Sequence, residues 1–368
     1  MRPLLPSRDV VVRTAETLAV GAVGGVAFET AGFPAGLVAG AIVTTAAASL
    51  MGRPLSVPNG LTRVLLVTVG IALGSVVSPA TLGGFAVYPL SIAVLSLAIL
   101  CMTAATFTYL RFVHDWNPLS ALLGGSPGAL AQIMAIAAES GADVRGVVIV
   151  QTLRVILLAV GIPAGLALAG LSQPAPAEGP ATAATSLLHL ADLADLAVLV
   201  AVSLACAFAF YRIGFSGGWL FGAMIGAAAL NGSGLTDAHL PWWLADSAMV
   251  ALGAVTGSRF AKIDLRLLFS YLLAALGSFT VAVTTAALFA LIAASLVTVA
   301  PGDLVVAFSP GAQDTMMLLA LALQLDPVFV GAHHLARYVI VSLGVSFVAD
   351  AIIRRQARNA ADDPPPRE

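Results

Sequence analysis

Charge is what this sequence has least of. Only 10% of its 368 residues are Asp, Glu, Lys or Arg, against about 25% in a soluble domain. Hydrophobic residues make up 59%, more than one core of this size can hide, so lipid must solvate most of the chain. Lysine is almost missing, since Lys262 is the only lysine among 17 basic residues. With a net charge of −2, there is no basic surface for a nucleic acid to dock on. Cysteine occurs twice, at Cys101 and Cys206, each inside an apolar run. That leaves neither a disulfide framework nor metal-ligand spacing. No G-x-S-x-G, H-E-x-x-H or P-loop appears in a strand–helix context, so no enzyme class is supported and no cofactor is expected. The first 30 residues carry basic charge and then an apolar stretch, but no A-x-A-like site leads into a soluble domain, so a signal peptide is not the preferred reading.

Long apolar runs are abundant. A spanning helix needs ~20 mostly apolar residues, and ten such runs are expected at about 14–32, 34–51, 61–79, 88–112, 146–171, 187–211, 217–234, 242–258, 267–298 and 328–352. Two more apolar segments, about 119–141 and 302–325, are broken by Ser-Pro-Gly. Basic residues mark the cytoplasmic side of a membrane protein. With the N-terminus inside, 15 of the 17 fall there, and the outer loops, about 79–87, 172–186, 231–241 and 299–301, hold none. The remaining two, Arg154 and Arg337, lie within expected spans. This distribution requires both Ser-Pro-Gly segments to return to the side they came from, because a full crossing would put Arg145 outside. Such re-entrant backbone is tolerated only when buried in protein or lining a wet cavity.

The two broken segments are copies at a fixed offset of 183 residues. Ser126-Pro127-Gly128-Ala129 becomes Ser309-Pro310-Gly311-Ala312, Asp143 becomes Asp326, and Arg154 becomes Arg337. The GxxxG pair Gly70 and Gly74 maps on to Gly253 and Gly257, and such pairs let helices approach closely. The expected fold is therefore an all-α polytopic membrane protein. It has about ten transmembrane helices in two inverted five-helix repeats, each with one re-entrant Ser-Pro-Gly segment. The N-terminal repeat covers 1–171, an outer Pro/Ala-rich linker 172–186, the C-terminal repeat 187–353, and a disordered cytoplasmic tail 354–368.

Candidate chemistry gathers at the copied motifs. Serine is a good N-cap and proline suits the first helical position, so a helix is expected to start at each motif with free N–H groups facing the membrane midplane. Broken helices meeting there are the usual build of secondary transporters. Substrate-binding candidates are Ser126, Pro127, Gly128, Gln132, Arg154, Ser309, Pro310, Gly311, Gln313 and Arg337. The bland alternative for the arginines is pairing with a helix C-terminus or snorkelling. Ion-coupling candidates are Asp314, which has no carboxylate counterpart in the first half, and the pair His333 and His334. Glu16, Glu29 and Asp246 read as interfacial, and no metal site is expected.

These residues carry a family resemblance. Ser126-Pro-Gly-Ala-Leu-Ala-Gln132 with Gln151-Thr-Leu-Arg154, and Ser309-Pro-Gly-Ala-Gln-Asp314 with His333-His-Leu-Ala-Arg337, resemble the AbrB family of bacterial integral membrane proteins over roughly 14–352. The family pattern continues after Pro-Gly toward a Glu-Met pair, where this chain has Gln132-Ile133 and Asp314-Thr315. The resemblance implies two labels, a regulator of gene expression and an ammonia monooxygenase. No His-rich constellation supports the second. The expected function is secondary transport of a small anionic or polar metabolite. The alternative is a membrane-embedded regulator acting indirectly or through a partner. Expected partners are the lipid bilayer, a small-molecule substrate and a second copy in a homodimer, with no nucleic acid. The expected location is the bacterial inner membrane, with both termini cytoplasmic. A single cysteine replacing Arg145 should react with an impermeant maleimide from the cytoplasmic side only, and labelling from outside would contradict the re-entrant segments.

Overall fold

A computed structural model describes residues 7–79, 88–128, 130–171, 190–215 and 217–362. The 172–186 linker, most of the 79–87 loop, and the tail beyond 362 lie outside the described residues. The described elements are all helical: α1 (Arg8–Thr30), α2 (Gly36–Leu50), α3 (Asn59–Ser75), α4 (Tyr88–Val113), α5 (Pro118–Gly125), α6 (Leu130–Glu139), α7 (Val144–Leu168), α8 (Leu190–Arg212), α9 (Gly218–Gly232), α10 (Trp242–Ser258), α11 (Leu265–Leu296), α12 (Pro301–Phe308), α13 (Gln313–Ala322) and α14 (Pro327–Asp362). Six of them, α1, α4, α7, α8, α11 and α14, are long and apolar enough to cross a membrane, and the chain is a multi-pass helical membrane protein. Backbone polar groups have no water partners in lipid, which leaves helices as the stable state of these runs.

Three of the ten expected spans, at α2, α3 and α9, are shorter than the sequence suggested, while α10 keeps the expected bounds of 242–258. The helices α2, α3, α9 and α10 hold 15, 17, 15 and 17 residues, or ~22–26 Å at 1.5 Å per residue, against a hydrocarbon core of ~30 Å. The apolar runs there include turn residues. Ala35 and Gly217 sit in the left-handed region just before α2 and α9, so Phe33 and Pro34 belong to a loop.

Packing divides the helices into two groups. In the first, α3 lies along α9 and α2 along α10, with α1 and α8 outside them. In the second, α4 and α11 pack together and support α5, α7, α12 and α14. Each group therefore draws on both the 1–171 and the 187–353 stretches of sequence. The two GxxxG pairs make the contacts of the first group. A Cβ on Gly70 or Gly74 would overlap the Leu220 or Met224 carbonyl of α9, and one on Gly257 would reach the Ile42 carbonyl of α2 at 2.5 Å. Between the groups lies an apolar layer that includes Met224, Met249, Met316 and Met317, half of the chain's eight methionines. Flexible thioether side chains let such a layer repack at low cost.

The helix boundaries follow the sequence offset. The starts and ends of α10, α12 and α13 lie 183 residues beyond those of α3, α5 and α6. In each broken segment the chain comes back to its point of entry. The Asp143 amide donates to Ser120 Oγ at 2.7 Å, and the Asp326 amide donates to Asp303 Oδ1 at 2.9 Å. Asp143 and Asp326 then cap α7 and α14 by accepting from the Gly146 and Phe329 amides. So α5 with α6, and α12 with α13, are two closed helical hairpins.

Replacing Gly74 with Val should drive α3 off α9 and destabilise the detergent-solubilised protein by about 1–3 kcal/mol, the usual cost of overpacking. Gly60→Ala on the same helix, where an added Cβ meets nothing within 4 Å, should leave the unfolding temperature unchanged.

Candidate functional site

Each hairpin tip is a helix that stops in the interior. Asn117 caps α5 and Pro118 opens it, and Pro301 opens α12 in the same way. Both helices end after eight residues, at Ser126 and Ser309. The two serines therefore close the preceding helices, where the sequence suggested they would start the following ones. Their hydroxyls donate backward, Ser126 Oγ to the Leu122 carbonyl at 2.7 Å and Ser309 Oγ to the Val305 carbonyl at 2.5 Å. Pro127 and Pro310 cannot continue a helix, and the next helices begin at Leu130 and Gln313.

A helix end leaves its last carbonyls without partners, and here they are met by side chains from the long helix that follows. On α7, Gln151 Nε2 donates to the Leu123 and Ser126 carbonyls at 2.8 and 2.9 Å, and Arg154 Nη2 donates to the Ser126 carbonyl at 3.3 Å. On α14, His334 Nε2 donates to the Val306 carbonyl at 3.2 Å. Arg337 Nη2 donates to the Ala307 carbonyl at 2.8 Å, and Arg337 Nη1 donates to the Ser309 carbonyl. Within each clamp the arginine also donates to its neighbour three residues earlier, Arg154 to Gln151 Oε1 and Arg337 to His334 Nδ1. Residues three apart share a helix face, which makes this pairing possible. It also fixes His334 as the Nε2–H tautomer, accepting at Nδ1. Pairing with a helix C-terminus, the alternative weighed for both arginines, is what their Nη groups do here.

The guanidiniums are not fully used. Arg154 and Arg337 are 4% and 2% exposed, and the Nε of each has no hydrogen-bond partner. They lie close enough for the Arg154 charge to act on Arg337. Neither pairs with a carboxylate among the described residues. Gly128, with φ +94°, brings the first hairpin's tip beside Arg337, and a Cβ there would sit 3.8 Å from Arg337 Cδ. Ser126, Gly128, Arg154, Ser309 and Arg337 therefore converge, with Pro127 and Pro310 in the same two turns.

Other sequence candidates serve neighbouring contacts. Gln132 Nε2 donates to the Ser342 carbonyl and Ser346 Oγ of α14, and Gln313 Nε2 donates to the His334 carbonyl. Gly311 sits tight against Met316, and its amide donates to the Ser309 carbonyl. Asp314 is paired with Arg259, at the end of α10 in the other helix group. His333 donates from Nδ1 to the Phe329 carbonyl at 2.7 Å, bonds Ser91 Oγ through Nε2 at 2.9 Å, and stacks on the Phe329 ring. Among the described residues, no three His, Cys, Asp or Glu converge as metal ligands. Sequence reasoning missed Gln151 and Arg259 as members of the constellation. Gln151, the 183-offset counterpart of His334, stands among the matched residues in the sequence but was not assigned to the site. No comparable signal marks Arg259.

Comparison with known proteins agrees with this arrangement in extent. The family model described as "Transition state regulatory protein AbrB" matches residues 37–353. A Bacillus subtilis (strain 168) protein, described as uncharacterized protein YhjN, is 27% identical over 282 residues, covering 74% of this chain and 73% of that protein.

His334→Gln should fold with nearly wild-type stability, because Gln151 already performs that task in the first hairpin. Arg337→Ala leaves the Ala307 carbonyl without a donor and the Ser309 carbonyl with only the Gly311 amide, and should cost about 1–3 kcal/mol, the usual penalty for one unmet group. Thermal unfolding in detergent measures both, and equal stability of the two variants would contradict the clamp.

Proposed function

The chain belongs to the AbrB family, and from that premise we propose that it is a secondary transporter of a small anionic or polar metabolite, working by alternating access. The observation that carries this reading is the pair of buried guanidiniums at two facing hairpin tips. Each has a donor unspent and no carboxylate counter-ion among the described residues. A small anion would complete both. The start of α13, where the N-cap Ala312 makes no side-chain cap, adds a favourable dipole.

The topology belongs to the same proposal: ten crossings, two inverted repeats and two re-entrant hairpins in a bacterial inner membrane, with both termini cytoplasmic. Its support is that contacts sort by end. Glu16 with Arg53, Arg63 over Tyr211 and Trp219, and Tyr271 with Asp143 bring together residues assigned to the inner side. Asn231 with Ser75, and Tyr88 with Phe329, bring together residues assigned to the outer side. A cavity of about 420 Å³ among Glu29, Asp246 and Gln324 also falls on the outer side.

Alternating access needs two helix groups that can shift. Here α13 packs on α2, α3 and α10 across the methionine-rich layer, while its counterpart α6 packs on α5, α7 and α14. The Asp314–Arg259 pair bridges the two groups, so a proton or cation taken up by Asp314 would release the bridge and couple ion movement to the shift. A second reading, a membrane-embedded regulator working through a partner, takes its support from the family description.

In proteoliposomes, gradient-driven uptake of an anion should fall at least about tenfold in Asp314→Asn, with counterflow exchange retained, a difference of ~1.4 kcal/mol in the coupled step. No flux for any small anion, together with a stable protein partner recovered on purification, would favour the regulator.

A further inference from the structure

One pair of packed helices occurs twice in this molecule. The 183-residue offset matches α2 with α9 and α3 with α10 to within a residue, and GxxxG glycines close both the α2–α10 and the α9–α3 contacts. The first pair receives the second hairpin. The end of α13 meets it around the cavity of about 420 Å³, whose wall includes Leu321, Ala322 and Gln324 from the hairpin, Glu29 from α1, and Asp246 and Met249 from α10. The second pair has the matching surface, yet the first hairpin's α6 packs on α5, α7 and α14.

The two surfaces carry opposite charge. Asp246 corresponds to Arg63, Glu29 to Arg212 and Ala322 to Glu139. The α2–α10 surface therefore sets an uncharged residue near two carboxylates. The same placement on the α9–α3 surface would set one carboxylate near two arginines. Arg63, Arg212 and Glu139 are all exposed, and none of them makes an ion pair among the described residues. The arginines rest on aromatic rings, Arg63 over Tyr211 and Trp219 and Arg212 over Phe208. Cytoplasmic placement alone accounts for the arginines, but not for Glu139. That residue ends α6, whose last turn has no basic residue, and a helix C-terminus disfavours negative charge.

We propose that the face of α3 and α9 around Arg63 and Arg212 is a second docking surface whose occupant is the end of α6. Glu139 pairs there with the two arginines, in a conformation where α13 has left α2 and α10. Exposed ion pairs are individually weak, which suits a contact that forms and breaks in every cycle. This inference rests on the alternating-access reading and adds the surfaces that exchange.

The test traps the contact in the reconstituted full chain carrying Cys101→Ser and Cys206→Ser. Met249 and Leu321 line one cavity, so Met249→Cys with Leu321→Cys should be bridged by a short bifunctional maleimide. Their counterparts, Leu66→Cys with Ala138→Cys, should be bridged as well, because irreversible bridging collects even a minor conformer. Glu139→Arg should slow that second bridge at least about threefold, the scale of an exposed charge pair, and adding Arg63→Glu and Arg212→Glu should restore it. If the half-buried Leu66 does not tolerate cysteine, the exposed pair Glu139→Cys with Arg63→Cys tests the same approach. Bridging of the Met249–Leu321 pair alone would overturn the docking, as would a second bridge whose rate ignores the charge at Glu139. A charge-sensitive second bridge in a protein that moves no small anion would keep the docking and sink the transporter reading. Anion flux with no second bridge would sink the docking alone.

Discussion

A helix that ends inside a membrane protein must have its last carbonyls met by the protein, because no water is there to meet them. This chain faces that constraint twice, at the ends of α5 and α12, and solves it both times with an arginine and a partner three residues before it. The solution sets much else. It anchors each hairpin tip to one long helix, α7 or α14, and so fixes the depth at which the chain turns. It places two guanidiniums, 4% and 2% exposed, within electrostatic reach of each other. It also engages Arg154 Nη2 and both Nη groups of Arg337 while leaving each Nε over. A structural answer to a backbone problem thereby leaves positive charge and unused donors at the centre of the molecule.

The two halves differ where a transporter would need them to differ. Gln151 and His334 do the same work, yet only the second can titrate. Ser120 and Asp303 both close a hairpin base, but only one brings a carboxyl group. Asp314 reaches across to Arg259, and no carboxylate stands at the matching place in the first hairpin. The α13 helix is embedded in the layer between the helix groups, while α6 is not. Such differences on a shared skeleton are what two non-equivalent gates require.

Much of the frame was legible in the sequence. The Pro, Gly and Arg matches at one offset located both hairpins, and the GxxxG pairs marked α3 and α10 as helices in close approach, though not their partners α9 and α2. What stayed hidden has a common cause. Apolarity does not separate a helix from an apolar turn, so α2 and α9 were read too long. Ser-Pro-Gly suits a helix start as well as a helix end, and the choice depends on whether the residues before it fold, which Asn117 and Pro118 decide for α5. The donors' targets are backbone carbonyls that carry no sequence mark, so helix C-terminus pairing could be named for Arg154 and Arg337 only as an alternative, and which carbonyls they meet emerges in three dimensions. The pairing of Asp314 with Arg259 likewise joins two elements whose proximity no periodicity encodes.

The most direct test of the paired-clamp account is the ¹⁵N chemical shift of the arginine Nε–H groups in the reconstituted protein, assigned with Arg154→Lys and Arg337→Lys and followed as a small monoanion is added. The account predicts that the Arg154 and Arg337 Nε resonances move together and saturate at one concentration. Two resonances that stay fixed while the anion is transported would place its site elsewhere.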